Sequence, residues 1–98
     1  MSEDAPVKHD PVLRVSASSP PQAVAAAISK SITDSHVYPS LRAIGHGAVG
    51  QTVKALAIAR GYMAPLGLDL AFIVGFETIH NAEGKELSAM VFRVFARD

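Results

Sequence analysis

The order in which two hydrophobic periods alternate along this chain of 98 residues constrains its fold more than any other feature. A period of two residues is typical of half-buried strands, and it predicts four of them, at residues 12–16, 41–45, 68–76 and 85–96. Helical spacing of apolar residues predicts two helices, at residues 20–34 and 47–61. The order is therefore β-α-β-α-β-β, with the last two strands joined as a hairpin. We expect a single-domain α/β protein, a two-layer sandwich in which two helices pack on one face of a four-stranded mixed sheet.

The composition supports one folded domain and excludes several other classes of protein. Hydrophobic residues make up 49% of the chain and charged residues 18%, which places it outside the disordered class. No apolar run approaches the ~20 residues that cross a bilayer, and the acidic start of the chain is unlike a signal peptide. The chain has no cysteine, so disulfides and thiolate chemistry are excluded. We expect a cytoplasmic domain at residues 12–98, without membrane contact, behind a flexible N-terminal tail at residues 1–11.

The charge balance argues against a strongly basic surface. The formal net charge is zero, and from residue 12 onward eight basic residues stand against six acidic ones. Dedicated nucleic-acid-binding domains usually show a clear basic excess or a basic patch. Here the basic residues are scattered, although we expect Arg14 and Arg42 to share one face of the sheet and Lys54 to point outward from the second helix. Charge alone therefore does not identify nucleic acid as the ligand.

The second predicted helix has an unusually narrow polar side. Helical spacing places Val49, Val53 and Leu56 toward the sheet, and even the outward stripe includes the apolar Ile58. A surface helix of a monomer normally has a wider polar face, and one face of the last strand is also apolar. This pattern favours a homodimer, with burial against the chain's own first helix or tail as the alternative. The candidate interface residues are Ala48, Thr52, Ala55, Ile58, Ala59, Val91 and Phe95.

The segment Gly45–Gly50 matches the pattern G-x-G-x-x-G between a predicted strand and a predicted helix. In dinucleotide-binding proteins such glycines let the backbone approach a pyrophosphate. An acidic residue should then follow at the end of the next strand, whereas Asp69 stands at the beginning of it, and 98 residues leave no room for a doubly wound sheet. Two interpretations remain: a tight turn that requires glycine, or a helix start whose free N–H groups attract an anion such as a nucleic-acid phosphate.

No pattern typical of a catalytic or metal site occurs in the sequence. The four histidines lack the spacing of metal ligands. A triad of Ser18, His46 and Asp69 can be drawn, but the chain has no G-x-S-x-G segment around a nucleophile. We therefore expect no catalytic residues, no metal and no cofactor.

Two long stretches of the chain resemble one bacterial family. They are LRVSASSP at residues 13–20 and RAIGHGAVGQTVKALAIARG at residues 42–61, and APLGLDL at residues 64–70 fits as well. On these residues the chain resembles the stage V sporulation protein S family over residues 12–97. That family is similar in fold to Alba, a small archaeal chromatin and RNA-binding protein with the same β-α-β-α-β-β order. The resemblance therefore implies an Alba-like fold and a homodimer formed through the second helix and the hairpin.

The same resemblance implies nucleic-acid binding at three places, namely the loop after the first strand, the start of the second helix and the hairpin tip. These are residues 16–19, 45–51 and 78–86 here, and each departs from Alba: serines replace lysines, the second has no arginine, and the tip is acidic. Because phosphate neutralisation supplies most non-specific affinity, we expect weak or single-strand-selective binding of DNA or RNA. The candidate nucleic-acid-binding residues are Ser16, Ser18, Ser19, Arg42, Gly45, His46, Gly47, Gln51 and Lys54.

Two functions from different classes follow from these observations. The first is a non-enzymatic regulator of bacterial development or sporulation that binds nucleic acid as a dimer. The second is a protein-interaction module in a developmental or cell-division complex, with an unidentified regulatory protein as its partner and no nucleic-acid binding. The fold relationship and the glycine loop favour the first, whereas the near-neutral charge and the acidic hairpin favour the second.

Overall fold

A computed structural model describes residues 11–97 of the chain. Within that range the helices and strands follow the predicted order. They are β1 (Val12–Val15), α1 (Pro21–Ser35), β2 (Ser40–Ala43), α2 (His46–Met63), β3 (Asp69–His80) and β4 (Glu86–Arg97), with a short 3-10 helix (Ala64–Leu66) between α2 and β3. The tail predicted at residues 1–11 lies outside the described residues except for Pro11, whose carbonyl oxygen accepts a hydrogen bond from the N–H of Ser40 at 2.9 Å.

The four strands form one mixed sheet in the order β1-β2-β4-β3. β1 and β2 are parallel, whereas β4 is antiparallel to both of its neighbours. β1 and β3 are therefore the edge strands, and both run toward the same end of the sheet. We call this end the loop end, because the loops that follow β1 and β2 begin there. The hairpin extends past it: β2 ends opposite Met90, and residues 86–89 of β4 pair with β3 alone.

Both helices cover the same face of the sheet, because the strand residues that point to that face are the buried ones. Leu41 of β2 and Phe92 of β4 are register partners, and both are buried. The helices contribute Ala25, Ile28, Ile32, Ala55, Leu56, Ala59 and Met63 to the same cluster. Each buried Leu or Ile stabilises the fold by about 1.5–3 kcal/mol relative to its exposed state. The predicted two-layer α/β arrangement is confirmed.

Two elements, α2 and β3, are longer than predicted. α2 continues past Gly61, its predicted end, because Met63 in the following half-turn is buried in the core. β3 continues past Phe76 to His80, because residues 77–80 keep pairing with residues 86–89 of β4. We call residues 77–89 the hairpin arm. The longer hairpin brings residues of the arm close to the loop end.

The buried side of α2 is rotated relative to the predicted one. Four of the small residues predicted to lie at a dimer interface are buried inside the protomer: Ala48, Thr52, Ala55 and Ala59. Their small size suits the close contact of α2 with α1 and the sheet. Val53, predicted to face the sheet, is instead 46% exposed. These four side chains are packed in the core of one protomer, and the dimer interface to which they were assigned stays a prediction.

The other three interface candidates lie on different faces of the molecule. Ile58 is half-buried in α2, where it packs against the core. Val91 and Phe95 alternate with the buried Phe92 and Val94 and so belong to the opposite, helix-free face of the sheet. The predicted set is thus divided between the helix layer and the far side of the sheet, and dimerisation itself stays a prediction.

Candidate nucleic-acid interface

The loop after β1 is folded by its own serine hydroxyls. The N–H of Ser16 donates to Ser19 Oγ at 2.9 Å, and Ser16 Oγ lies 3.1 Å from Ser18 Oγ and 3.2 Å from Ser19 Oγ. α1 starts without a side-chain cap, because its N-cap residue is Pro20, which has no polar side-chain atom. Each hydroxyl has one hydrogen to donate, and the two contacts between hydroxyls use two of the three. One serine hydrogen therefore remains for an outside acceptor such as a phosphate oxygen.

The second loop turns directly from β2 into α2 at Gly45. Its φ of +87° lies in the left-handed region, where glycine is favoured. α2 begins at His46 without a side-chain cap and without an acidic residue in its first turn, and its first backbone bond runs from the N–H of Val49 to the carbonyl oxygen of Gly45 at 3.1 Å. The N–H groups that precede Val49 in the helix have no helical acceptor. The positive end of the helix dipole therefore faces the loop end without a compensating side chain.

The two loops are in contact, so residues far apart in the sequence form one surface. Gln51 of α2 donates from Nε2 to the carbonyl oxygen of Ser19 at 2.8 Å. A Cβ at Gly47 would lie 2.9 Å from Ala17 Cβ, which is closer than two carbon atoms pack without a shift of the backbone. Gly45 is thus explained by its positive φ and Gly47 by the neighbouring loop. The glycine motif is accounted for as a tight turn without any dinucleotide.

Arg14 and Arg42 lie side by side on the helix-free face of the sheet, as the sequence predicts. They are register partners in the parallel strands β1 and β2. Arg42 forms an ion pair with Glu77 of β3, with 3.0 Å between Nη2 and Oε1 and a hydrogen bond of 3.1 Å from Nε to the same oxygen. This pair spans β4, where Ala89, the register partner of Glu77, is fully buried. The ion pair therefore ties β2 to the hairpin arm.

The structure brings together most of the predicted binding residues but separates Lys54 from them. The serine loop, Gly45–Gly47 and Gln51 meet at the loop end, with His46 exposed at the first position of α2. Arg42 adjoins them from the helix-free face, where it lines the same recess as Ser16. Lys54 is exposed eight residues beyond His46, about 12 Å along the helix axis. It can reach a ligand only if the ligand extends along α2.

The sequence profile of one protein family, described as Stage V sporulation protein S (SpoVS), matches residues 11–97. The chain belongs to this family. The match runs from β1 to the end of β4 and includes both loops of the loop end. The resemblance found in residues 13–20 and 42–61 is therefore confirmed.

In this family member Asp69, the acidic residue at the start of the strand that follows α2, has a structural role. Asp69 accepts hydrogen bonds from Arg97 Nε at 2.7 Å and from Arg60 Nε at 3.1 Å. The bond from Arg97, followed by that from Arg60, holds the pKa of Asp69 below its ordinary value of 3.8. Asp69 begins β3 at the end of the sheet opposite the loop end, so it stands far from Ser18 and His46. The triad that can be drawn on the sequence is not assembled.

The hairpin arm adds two residues from the segment 78–86 that the resemblance implied but that were not among the candidate binding residues. Ile79 and His80 lie near the loop end and share a recess with Arg14 and Ser16. The signal was present, since alternation continues through Glu77-Thr78-Ile79 beyond the predicted strand end. Among residues 11–97, no cluster of three or more potential metal ligands occurs, and no helix there is long and apolar enough to span a bilayer.

Proposed function

We propose that this protein is a small cytoplasmic regulator of bacterial development that binds DNA or RNA at the loop end and performs no catalysis. One observation carries the proposal: the serine loop and the uncapped first turn of α2 are locked together by the Gln51–Ser19 hydrogen bond and the Gly47–Ala17 contact. Backbone N–H groups, hydroxyls and helix N-termini are common donors to nucleic-acid phosphates. Membership of the stage V sporulation protein S family supports a role in sporulation or a related developmental process.

The charge of the loop end sets the strength of binding. Arg42 shares its charge with Glu77, and Lys54 is remote from the loops. Few phosphates can therefore be neutralised, and both the affinity for duplex DNA and its dependence on salt should be low. Single strands offer unpaired bases as additional ligands. The proposal is accordingly weak binding with a preference for single-stranded nucleic acid.

The β3 patch, which consists of Phe72, Val74 and Phe76, supports a homodimer on a different surface. These residues face the same side as the helices, because Phe72 and Val74 pair with the buried Val94 and Phe92. The helices nevertheless leave them uncovered, and Phe76 is 80% exposed. Exposed apolar patches of this kind are typical of interaction sites.

A second copy of the chain is the partner that fits the β3 patch. The patch is apolar along its length and lies on an edge strand, so two copies related by a two-fold axis present the same surface to each other. Val53 of α2 is exposed on the side of the helix that carries Leu56 and extends the apolar surface. Alba-like domains dimerise through the second helix and the hairpin, which is the same region. The loop ends of both copies stay accessible in such a dimer.

Fluorescence anisotropy tests the nucleic-acid part of the proposal. Labelled single-stranded RNA, single-stranded DNA and duplex DNA are titrated with the protein at low and physiological salt. We expect binding of the single strands to be tighter than that of the duplex, and we expect His46→Ala together with Gly47→Ala to weaken it. A protein that binds none of the three even at low salt would contradict the proposal.

A protein-interaction module is the second candidate, and two observations favour it. Ile73 is 64% exposed on the helix-free face, and the hairpin tip carries the exposed acids Glu83 and Glu86. A pull-down with the wild-type protein and with Ile73→Asp distinguishes the two functions. A bacterial protein that is retained by the wild type and lost with Ile73→Asp, in the absence of nucleic-acid binding, supports this second candidate.

A further inference from the structure

We infer that Arg14 and Arg42 form a phosphate clamp at the centre of a groove that holds one single strand of nucleic acid, with a base on either side of the clamp. The inference rests on the proposed function. It names the ligand as a single strand, and its path runs from the start of α1 across the free edge of β1 to the helix-free side of β1 and β2. Two recesses that share both arginines define the groove.

The first recess lies between the free edge of β1 and the start of α1 and has a volume of about 680 Å³. Besides the two arginines its walls are mostly small or apolar. They are formed by Val12, Leu13, Ser19, Pro20, Ala23, Val24 and Ala27. The exposed alanines Ala23 and Ala27 stand one turn apart on α1 and leave space that larger side chains would fill. A flat, uncharged group can enter here.

The second recess lies on the other side of the arginines, between the loop end and the hairpin arm, and has a volume of about 530 Å³. Its walls are formed by Val15, Ser16, Ala17, Ile44, Ile79 and His80. The apolar side chains can pack against a ring-shaped ligand, while Ser16 and His80 supply polar groups at the rim of the recess. The imidazole of His80 lies 3.6 Å from Glu86, so a carboxylate also stands nearby on the arm.

The size and chemistry of the two recesses fit single nucleotides. Pockets for small ligands commonly measure about 300–1,000 Å³, which includes the volume of each recess. Neighbouring strands lie about 4.8 Å apart, so the guanidinium of Arg42, once released from Glu77 across β4, can turn toward Arg14 and bind the same phosphate. Arginine can do so with two parallel hydrogen bonds. The bases of a duplex are stacked inside it and cannot enter the recesses, whereas an unpaired base can. The groove therefore selects single strands.

Glu77 acts as the competitor for the phosphate. Its carboxylate is bound to Arg42 at 3.0 Å, and a phosphate must share or replace that bond. The ion pair keeps Arg42 in place while it lowers the net positive charge of the groove. Removal of the negative charge at Glu77 should therefore tighten binding, an effect that damage to the fold would not produce.

Anisotropy titrations of a labelled single-stranded oligonucleotide at several salt concentrations test the clamp. We expect Arg14→Ala and Arg42→Ala each to weaken binding by about tenfold, since a charge-assisted hydrogen bond is lost, and each to reduce the salt slope by about one. Arg97→Ala is the matched control, because it also removes an ion-paired arginine but from the opposite end of the sheet. We expect its affinity to stay within about twofold of the wild type. Glu77→Gln should bind several times more tightly.

The outcomes separate the clamp from the proposed function. If the wild type binds, but Arg14→Ala and Arg42→Ala bind as tightly as the control Arg97→Ala, the clamp is overturned. The loop end could then still be the binding site. The clamp is likewise overturned if Glu77→Gln binds no better than the wild type. Absence of wild-type binding to every oligonucleotide would overturn both. Tighter binding by Glu77→Gln and weaker binding by Arg14→Ala, in the same titration, supports the clamp.

Discussion

The loop end and the β3 patch differ in how the fold satisfies their exposed groups. At the loop end, hydrogen bonds within the protomer, such as those of the serines and the Gln51–Ser19 bond, hold the loops in place, while the first N–H groups of α2 are left without a helical acceptor. In the β3 patch, Phe72 contacts the buried Phe92 with 5.4 Å between the ring centroids, but Phe76 stays 80% exposed. The loop end is therefore preorganised for a polar ligand, whereas the β3 patch requires an apolar surface from another molecule.

α2 connects the two regions, and its two long sides show the same contrast. Small buried residues such as Thr52 and Ala55 fill the space toward α1 and the sheet. Val53, next to them in the sequence, is exposed on the β3 side. Substitutions of the buried residues should therefore affect folding, whereas substitutions on the exposed side should affect association.

The largest effect is expected from Ala55→Glu. Ala55 is fully buried, and an unpaired carboxylate there costs several kcal/mol of folding free energy, so the variant should be unfolded by circular dichroism at ambient temperature. Ala57→Glu is the matched control two positions away, because Ala57 is exposed, and it should keep the wild-type thermal midpoint. A folded Ala55→Glu protein would show that α2 does not pack as described.

The next largest effect is expected from Phe76→Asp. Loss of a central aromatic residue from an interface typically costs about 2 kcal/mol or more of association free energy, so the variant should be monomeric by light scattering at concentrations where the wild type is a dimer. Ile73→Asp places the same charge on the opposite face of β3 and should remain dimeric. A dimer of unchanged stability in Phe76→Asp, or a wild-type monomer, contradicts the role of the β3 patch.

Two glycines of α2 probe the loop end at a smaller scale. Gly50→Ala adds a Cβ that meets nothing within 4 Å and should stabilise the protein by about 1 kcal/mol, because alanine favours the helix over glycine. Gly47→Ala brings a Cβ to 2.9 Å from Ala17, and the strain should make it less stable than the wild type by about 1 kcal/mol. Urea denaturation measures both. Equal stabilisation by the two variants would show that the serine loop is not held against α2.

The smallest effect concerns acid stability at the end of the sheet opposite the loop end. Because Arg97 and Arg60 lower the pKa of Asp69 below 3.8 in the folded protein, ionised Asp69 contributes stability at neutral pH, and this contribution is lost as the pH falls through the lowered pKa. Thermal midpoints of the wild type should slightly exceed those of Asp69→Asn at pH 7 and converge with them as the pH falls well below 3.8. A constant difference at every pH would contradict the ion-pair assignment.

Much of the fold could be predicted from the sequence, because it depends on periodicity over many residues. The four strands and the shared face of Arg14 and Arg42 follow from alternation of apolar and polar residues, and the two helices follow from helical spacing. A change at one residue does not reverse either pattern. The buried side of α2 could not be predicted, since alanine and threonine give a weak hydrophobic signal that burial against a neighbouring helix overrides. Val53 is strongly hydrophobic and was therefore predicted to face the sheet, but the packing of the small residues against α1 leaves it exposed.

The candidate site was predicted less completely than the fold. The serine loop and the glycine loop are local features, so their residues could be named in advance. The contact of Gly47 with Ala17 and the ion pair of Arg42 with Glu77 join residues that are 30 or more positions apart, and no local pattern announces them. The resemblance implied residues 78–86 as part of the site, but periodicity alone did not place Ile79 and His80 there, because β3 was predicted to end at Phe76.

An NMR titration of ¹⁵N-labelled protein with a single-stranded oligonucleotide tests the contrast between the loop end and the β3 patch most directly. We predict that the amide signals of residues 16–19, 45–47 and 51, together with those of Arg14 and Arg42, shift during the titration. The signals of residues 72–76 should stay in place. Shifts confined to residues 72–76, or no shifts at all, would contradict the assignment of the loop end as the binding site.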